Sequence, residues 1–272
     1  MLTEVQKISL EMLADLKPLL EKYQISFQLS FGTALGARRH GGFIPWDDDV
    51  DIDMTAEDMQ RLMKIWKSIP QNKYYLQNIW TDKYLPGLYW RIRKKNTTSM
   101  DEVGRKLPIH WGIPVDIFAV YHAPKSSLLK KMMLWIYLKA ESYSYFPIYC
   151  ITNLRSPILG ARMLAGRILQ RLLFEISRLC RRSDEVFYPE GHPIRTLSNS
   201  FFKKDIFYPA EELEFEGISF HGHHWEHEYL TAMYGDYMTP PPPEKRAGHP
   251  TCITDPNRDF SEYVDYDCSR FR

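Results

Sequence analysis

Cysteine is scarce in this sequence and never paired: Cys150, Cys180, Cys252 and Cys268 are scattered, with no CxxC spacing. Neither a cysteine-based zinc site nor a disulfide framework is therefore indicated. No uncharged apolar run approaches the roughly 20 residues that a membrane-crossing helix needs. The first residues, MLTEVQKISLEML, carry acids at helical spacing, not the basic end and apolar core of a signal peptide. A cytosolic, reducing location is the default expectation. An HExxH metalloprotease pattern and nucleic-acid-binding motifs are also missing, so nucleic acid is not an expected partner.

What is there is ordinary globular composition. The 272 residues are 44% hydrophobic and 25% charged, enough for one large domain or a core with an inserted subdomain. Aromatics reach 14%, which suits a protein that handles bases, sugars or a membrane interface. The net charge of +1 hides an asymmetry: between Lys125 and Arg182, eleven Lys and Arg face only Glu141 and Glu175, a local balance of +9.

The stretch from Phe31 to Met54, FGTALGARRHGGFIPWDDDVDIDM, concentrates the chemistry. Asp49-Val50-Asp51-Ile52-Asp53 alternates as a strand does, which puts the three aspartates on one face and Val50 and Ile52 on the other. Asp-rich runs are commonly solvated loops, but a plain acidic loop needs neither a Gly-Thr turn nor an apolar alternation. Carboxylates so close repel one another unless a divalent cation sits between them. All-oxygen ligation suits Mg²⁺, with Mn²⁺ as an alternative, and Mg²⁺ in such sites holds substrate phosphates. A metal-assisted phosphoryl transferase is the reading these residues carry. Asp49 and Asp51 are its primary ligands, Asp53 is incidental, and Asp47 and Asp48 shape the turn or touch substrate.

Along the chain, Leu2–Lys22 reads as a helix capped by Thr3, with Pro18 inside it. Ile25–Phe31 alternates as a strand into Gly32-Thr33, and Ala34–His40 follows as a short helix, an arrangement that offers backbone N–H groups to a phosphate. Thr55 or Asp58 caps a helix over Met59–Ser68. Tyr74–Trp80 and Leu88–Arg93 are strand-like, and Arg91 and Arg93 share a face that is either a solvated edge or a phosphate-binding wall. Ile113–Val120 is a buried strand interrupted by Asp116, and a buried carboxylate needs either a salt bridge or a function.

Leu128–Leu138 and Ile158–Arg182 form the basic segment. Arg167, Arg171, Arg178 and Arg182 fall on one stripe of the second helix, while Leu164, Ile168, Leu172, Ile176 and Leu179 supply apolar surface. An anionic membrane surface or packing on the core both account for it. His221, His223, His224 and His227 form a cluster read as a surface feature, although His223 and His227 have the spacing of a zinc pair on a helix. Four prolines then lead to Glu244-Lys245-Arg246, an extended arm with positive charge at its end.

FGTALGARRHGGFIPWDDDVDI, RIRKKNTT, the VDIF around Asp116, FEG at 215–217 and YGDYM with PPPEKR resemble, in order, the blocks of the LicD family, phosphocholine transferases of bacterial surface glycans. The resemblance implies an α+β fold: a nucleotidyltransferase-like mixed β-sheet core flanked by helices. That core spans 1–124 and 183–272, and 125–182 is a basic amphipathic helical insert. It implies Asp49, Asp51 and Asp116 as metal ligands, with Asp116 also a candidate base. CDP-choline is the implied donor, CMP the leaving group, and a sugar hydroxyl of a lipid-linked glycan the acceptor, in lipopolysaccharide or teichoic acid precursors. Gly32, Thr33, Arg39, His40, Asp48, Arg91, Arg93 and Arg246 are the expected substrate contacts. The place of work is the cytoplasm, peripheral to the inner face of the bacterial cytoplasmic membrane. Transfer of ribitol or glycerol phosphate by the same chemistry is one alternative; a non-catalytic membrane-surface adaptor is another. Asp53 stands where relatives commonly have Gly, and the histidine cluster matches no family block.

Overall fold

The structure is a computed structural model and describes residues 2–69, 73–102, 104–190, 195–246 and 251–271. Helix α1 (Glu4–Lys22) starts in a capping box: the Thr3 hydroxyl accepts the Gln6 N–H, and the Gln6 side chain accepts the Thr3 N–H. It buries Met12, Leu13, Leu16 and Leu20, and continues through Pro18. Gln6 also reaches outward, its Nε2 donating to the carbonyl of Asp47 at 2.7 Å.

The strand expected over Ile25–Phe31 shrinks to β1 (Gln28–Leu29), because the chain leaves the sheet at Ser30. Ser30 N–H donates to the Asp51 carbonyl and Phe31 N–H to the Tyr229 hydroxyl, so α2 (Phe31–His40) begins before Gly32. Gly41, at φ 72°, ends it in the left-handed region that glycine tolerates. Strand β2 (Asp51–Thr55) is displaced from the expected Asp49–Asp53, which leaves Asp49 ahead of the ladder. Thr55 caps α3 (Ala56–Ile65) by accepting the Asp58 N–H.

Strands β3 (Tyr74–Gln77), β4 (Trp90–Lys94), β5 (Thr98–Asp101) and β6 (Pro114–His122) follow. Then come α4 (Ser127–Ser144), α5 (Phe146–Tyr149), α6 (Pro157–Leu179), β7 (Glu185–Phe187), α7 (Leu197–Ser200) and β8 (Phe201–Lys203). The hairpin β9 (Glu211–Phe215) and β10 (Ile218–Gly222), helix α8 (Glu226–Tyr234) and β11 (Thr251–Asp255) complete the order.

The main sheet runs β1-β2-β6-β4-β3, and β7 adds to the far part of β6 and carries β8. Among the described residues only β2 and β6 run parallel and the other pairs of this sheet are antiparallel, so the sheet is mixed and the class is α+β. Alternation sorts β6 by face: Val115 and Ile117 are fully buried, while Asp116 and Phe118 between them reach the other side. A smaller core of Leu85, Met100, Leu107, Ile109, Trp111 and Phe260 lies beneath the β5–β11 pair.

Helices α4 and α6 join the main core through Met133, Leu134, Ile136, Tyr137, Leu173 and Phe174. Of the two places weighed for the apolar set on α6, the core does not take it: Leu164, Ile168, Leu172 and Leu179 stay on the surface. Gly166 lets α4 come close, with Ala140 O and Tyr143 Cβ each 3.4 Å from where a Cβ would stand. That contact rotates Leu164, Ile168, Leu172 and Leu179 to the outside. The arginine stripe also breaks up: Arg167 Nε donates to the Ile79 carbonyl and Arg178 pairs with Glu175, while Arg182 lies beyond the helix. Among the described residues no helix is long and apolar enough to cross a membrane.

Candidate active site

Sheet register assembles the site. Asp51 on β2 lies directly opposite Asp116 on β6, and Asp116 lies opposite Arg91 on β4. Three adjacent strands, each about 4.8 Å from the next, thus present Asp, Asp and Arg in one row. The row opens on a cleft of about 460 Å³, whose walls include Asp48, Asp49, Asp51, Asp116, Arg91 and Arg93, with Phe31, Tyr89, Trp111 and Phe118 as the aromatic part.

Each member of the row is fixed by its neighbours. Asp51 N–H donates to the Thr33 hydroxyl at 2.9 Å, and Asp116 N–H to the Val50 carbonyl at 2.8 Å. Arg91 Nε donates to Asp116 Oδ1 at 3.0 Å, its guanidinium lies over the Tyr89 ring, and an Nη donates to the Tyr89 hydroxyl. Burial opposes the charge on Arg91, but Asp116 and Tyr89 outweigh it and hold its pKa above the ordinary value. Arg93 is pushed down to about 9, by burial first and Arg91 second. It is a structural group here: Nε donates to Gln77 Oε1 and Nη1 to the Gly112 carbonyl, both at 2.6 Å. The solvated-edge reading of these arginines fails because β4 is an interior strand, between β6 and β3.

Asp51 is the electrostatic centre. Burial raises its pKa well above the usual carboxylate range, and Asp49, Asp116 and Asp47 raise it further. An all-oxygen donor set with mutual repulsion fits a hard divalent cation. Among the described residues, however, no three His, Cys, Asp or Glu side chains are gathered as a ready ligand set. Asp116 is taken up by Arg91 instead.

Other expected contacts lie apart from this cleft's lining. A Cβ on Gly32 would stand 2.4 Å from Asp47 Oδ2, so glycine there lets that carboxylate approach the start of α2. Thr33 is buried behind β2 and spends its hydroxyl on the Asp51 backbone. Arg39, His40 and Arg246 gather around Trp46: Arg246 stands over its ring at 4.9 Å, and the His40 ring is 6.3 Å from it. Arg39 donates to the Tyr237 carbonyl, and its pKa is lowered by burial and by Arg246. That of His40 is lowered by burial and by Arg39. The pKa of Tyr234 is raised by burial and then by Asp51, Asp47 and Asp49.

Beneath the cluster lies a layer that the sequence did not announce. Asp53 is no incidental surface acid: its Oδ1 accepts from the Tyr188 hydroxyl at 2.7 Å, and its Oδ2 lies 2.9 Å from His223 Nε2. His223 is buried, which corrects the reading of a surface cluster, and its ring stacks on Tyr229 at 3.7 Å. It sits ahead of α8, so it does not share a helical face with His227. Tyr229 in turn holds the Phe31 N–H, and Phe31, at φ 41°, stacks on Tyr188 and lines the cleft. The only sequence signal for this pair was that neither partner fitted a family block.

Comparison with known proteins places this geometry in a family. Residues 24–156 match the family described as LicD/FKTN/FKRP, nucleotidyltransferase domain. The lipopolysaccharide cholinephosphotransferase LicD of Haemophilus influenzae is 30% identical over 264 residues, which span 91% of this chain and 95% of that one. Two uncharacterised Rickettsia proteins match shorter stretches. RP689 of R. prowazekii is 41% identical over 64 residues, 24% of each chain. RT0683 of R. typhi is 36% identical over 78 residues, 28% of this chain and 25% of that one. With nearly the whole of both chains aligned to the Haemophilus protein, this chain belongs to the LicD family.

Proposed function

We propose that this phosphotransferase moves phosphocholine from CDP-choline to a sugar hydroxyl of a lipid-linked surface glycan and releases CMP. The single observation that carries the proposal is the in-register row of Asp51, Asp116 and Arg91 along the cleft. The activity that the Haemophilus relative is named for, a lipopolysaccharide cholinephosphotransferase, supports choline phosphate as the group moved.

The acceptor oxygen bonds to the choline-bearing phosphorus while the bond from that phosphorus to the CMP oxygen breaks. The hydroxyl proton passes to a carboxylate, and Asp116 is the candidate. Arg91 orients Asp116 and sets fixed positive charge beside it. Asp49 and Asp51, with Asp116 as a third oxygen donor, would hold Mg²⁺ or Mn²⁺. When bound, the ion neutralises pyrophosphate charge and stabilises the departing phosphate. Arg39 and Arg246 offer positive charge near Trp46 for the nucleotide, while His40, its pKa lowered by burial and by Arg39, offers a ring held toward its neutral form. A cytoplasmic location follows from a nucleotide donor.

Incubating the purified protein with Mg²⁺ and several CDP-alcohols, and measuring CMP release, tests the proposal. CDP-choline should give CMP, EDTA should stop its release, and added Mg²⁺ should restore it. CMP from CDP-ribitol with none from CDP-choline would sink the choline assignment. An Asp49→Asn variant as active as the parent would sink the catalytic one.

A further inference from the structure

Helices α4 and α6 carry apolar side chains on the side that faces away from the core. On α4, Leu128, Met132, Trp135 and Leu138 are 75%, 45%, 57% and 38% exposed. On α6, Leu164, Ile168, Leu172 and Leu179 are 57%, 59%, 42% and 80% exposed. Spacings of three, four and seven put each set on one helical face. In α6 that face is opposite Leu159, Met163, Gly166 and Leu173, which are buried. The helix is thus apolar on two sides, of which the fold uses one.

Charge decides what covers the other. Lys131, Lys139 and Arg171 are exposed among these side chains and have no carboxylate partner among the described residues. The two acids of the pair of helices are already neutralised, Glu141 by Arg195 and Glu175 by Arg178. A second copy docked on this face about a two-fold axis would bring these cations toward their own equivalents. We infer that the outward face of α4 and α6 lies on an anionic lipid surface, with Trp135, Leu164 and Ile168 at the acyl boundary and Lys131, Lys139 and Arg171 at the headgroup phosphates. In this arrangement the chain rests on the surface; among the described residues no helix is long and apolar enough to cross it.

The C-terminal end of α4 comes close to the cleft. Tyr145, which caps the end of α4, has its hydroxyl 3.5 Å from where a Cβ on Gly87 would stand, beside the Tyr89 ring that lines the cleft. Seating α4 on a membrane therefore brings the rim of the cleft toward lipid. This inference goes beyond the proposed reaction and does not depend on the identity of the donor.

Flotation of the full chain with vesicles tests it, using phosphatidylcholine alone and phosphatidylcholine with phosphatidylglycerol. Binding is expected on the anionic vesicles at low salt, falling as salt screens the charges, with a blue shift of Trp135 emission. Lys131→Ala and Arg171→Ala should each weaken binding by roughly fivefold. Ile168→Glu should abolish it and leave the Tm unchanged, because the side chain is exposed. No binding at low salt, or equal binding by Ile168→Glu, overturns the inference. So does a lipid-free dimer that Ile168→Glu dissolves, which would assign the face to a second copy. Because lipid binding is read instead of CMP release, failure here and failure of the proposed reaction are distinguishable.

Discussion

Replacing Asp53 with alanine removes the acceptor at the centre of the layer beneath the acidic cluster. Asp53 and His223 are 1% and 2% exposed, so water cannot substitute for the lost carboxylate. Truncation strands the Tyr188 hydroxyl and the His223 Nε2, now held at 2.7 and 2.9 Å. An unsatisfied buried group costs about 1–3 kcal/mol, and breaking a buried pair from one side about 3–5 kcal/mol. The prediction is therefore a loss of about 3–5 kcal/mol, a fall in Tm of roughly 6–20 °C for a chain of this size. Thermal and urea unfolding read it directly. Removing both partners should cost less than the two single changes together, because neither member of the Asp53–His223 pair is then left facing an apolar gap and only the Tyr188 hydroxyl loses its acceptor. Asp53→Leu with His223→Leu is the variant to compare with each single replacement. A single-variant loss below about 1 kcal/mol, or strict additivity in the double variant, would refute the reasoning.

Three further outcomes follow from the geometry. Asp51→Asn should lower CMP release by roughly 10²-fold or more while leaving Tm equal or higher, because a neutral amide ends the repulsion with Asp49 and Asp116. Gly36→Ala should cost about 1–3 kcal/mol in urea unfolding, since its Cβ would lie 2.4 Å from the Gly42 carbonyl, backbone that cannot swing aside. Burial, then Lys204 and Arg181, push His122 down to about 4, so the folded chain resists a proton that the unfolded chain accepts near 6.5. Stability is then full above pH 6.5 and declines as pH falls toward 4, by up to about 3 kcal/mol; His122→Gln should flatten that decline in a pH series of melts.

The sequence was most legible where local chemistry and fold agree. Thr3 and Thr55 cap the helices that their positions suggest, and Val115, Asp116 and Ile117 alternate as written. Asp116 stood out because a carboxylate in an apolar strand needs a partner, and Arg91 proved to be one. Pairing across long separations was not legible. Nothing local says that Asp53 will meet His223 170 residues later. The apolar set on α6 was legible, but whether it turns to the core or outward was not. A helix with apolar residues on two sides leaves its orientation to a neighbour, and close packing at Gly166 chose it.

Gln6 gives the first helix an unexpected reach. Its side chain closes the cap of α1 through Oε1 and at the same time grips the backbone of Asp47 through Nε2, while Val5 beside it helps to line the cleft. The loop that carries the aspartates is thus tethered to the opening turn of the chain. Setting the stagger of that loop and winding the first turn of α1 are one event, so an amino-terminal truncation that unwinds the turn would slacken the acidic loop while leaving every aspartate in place.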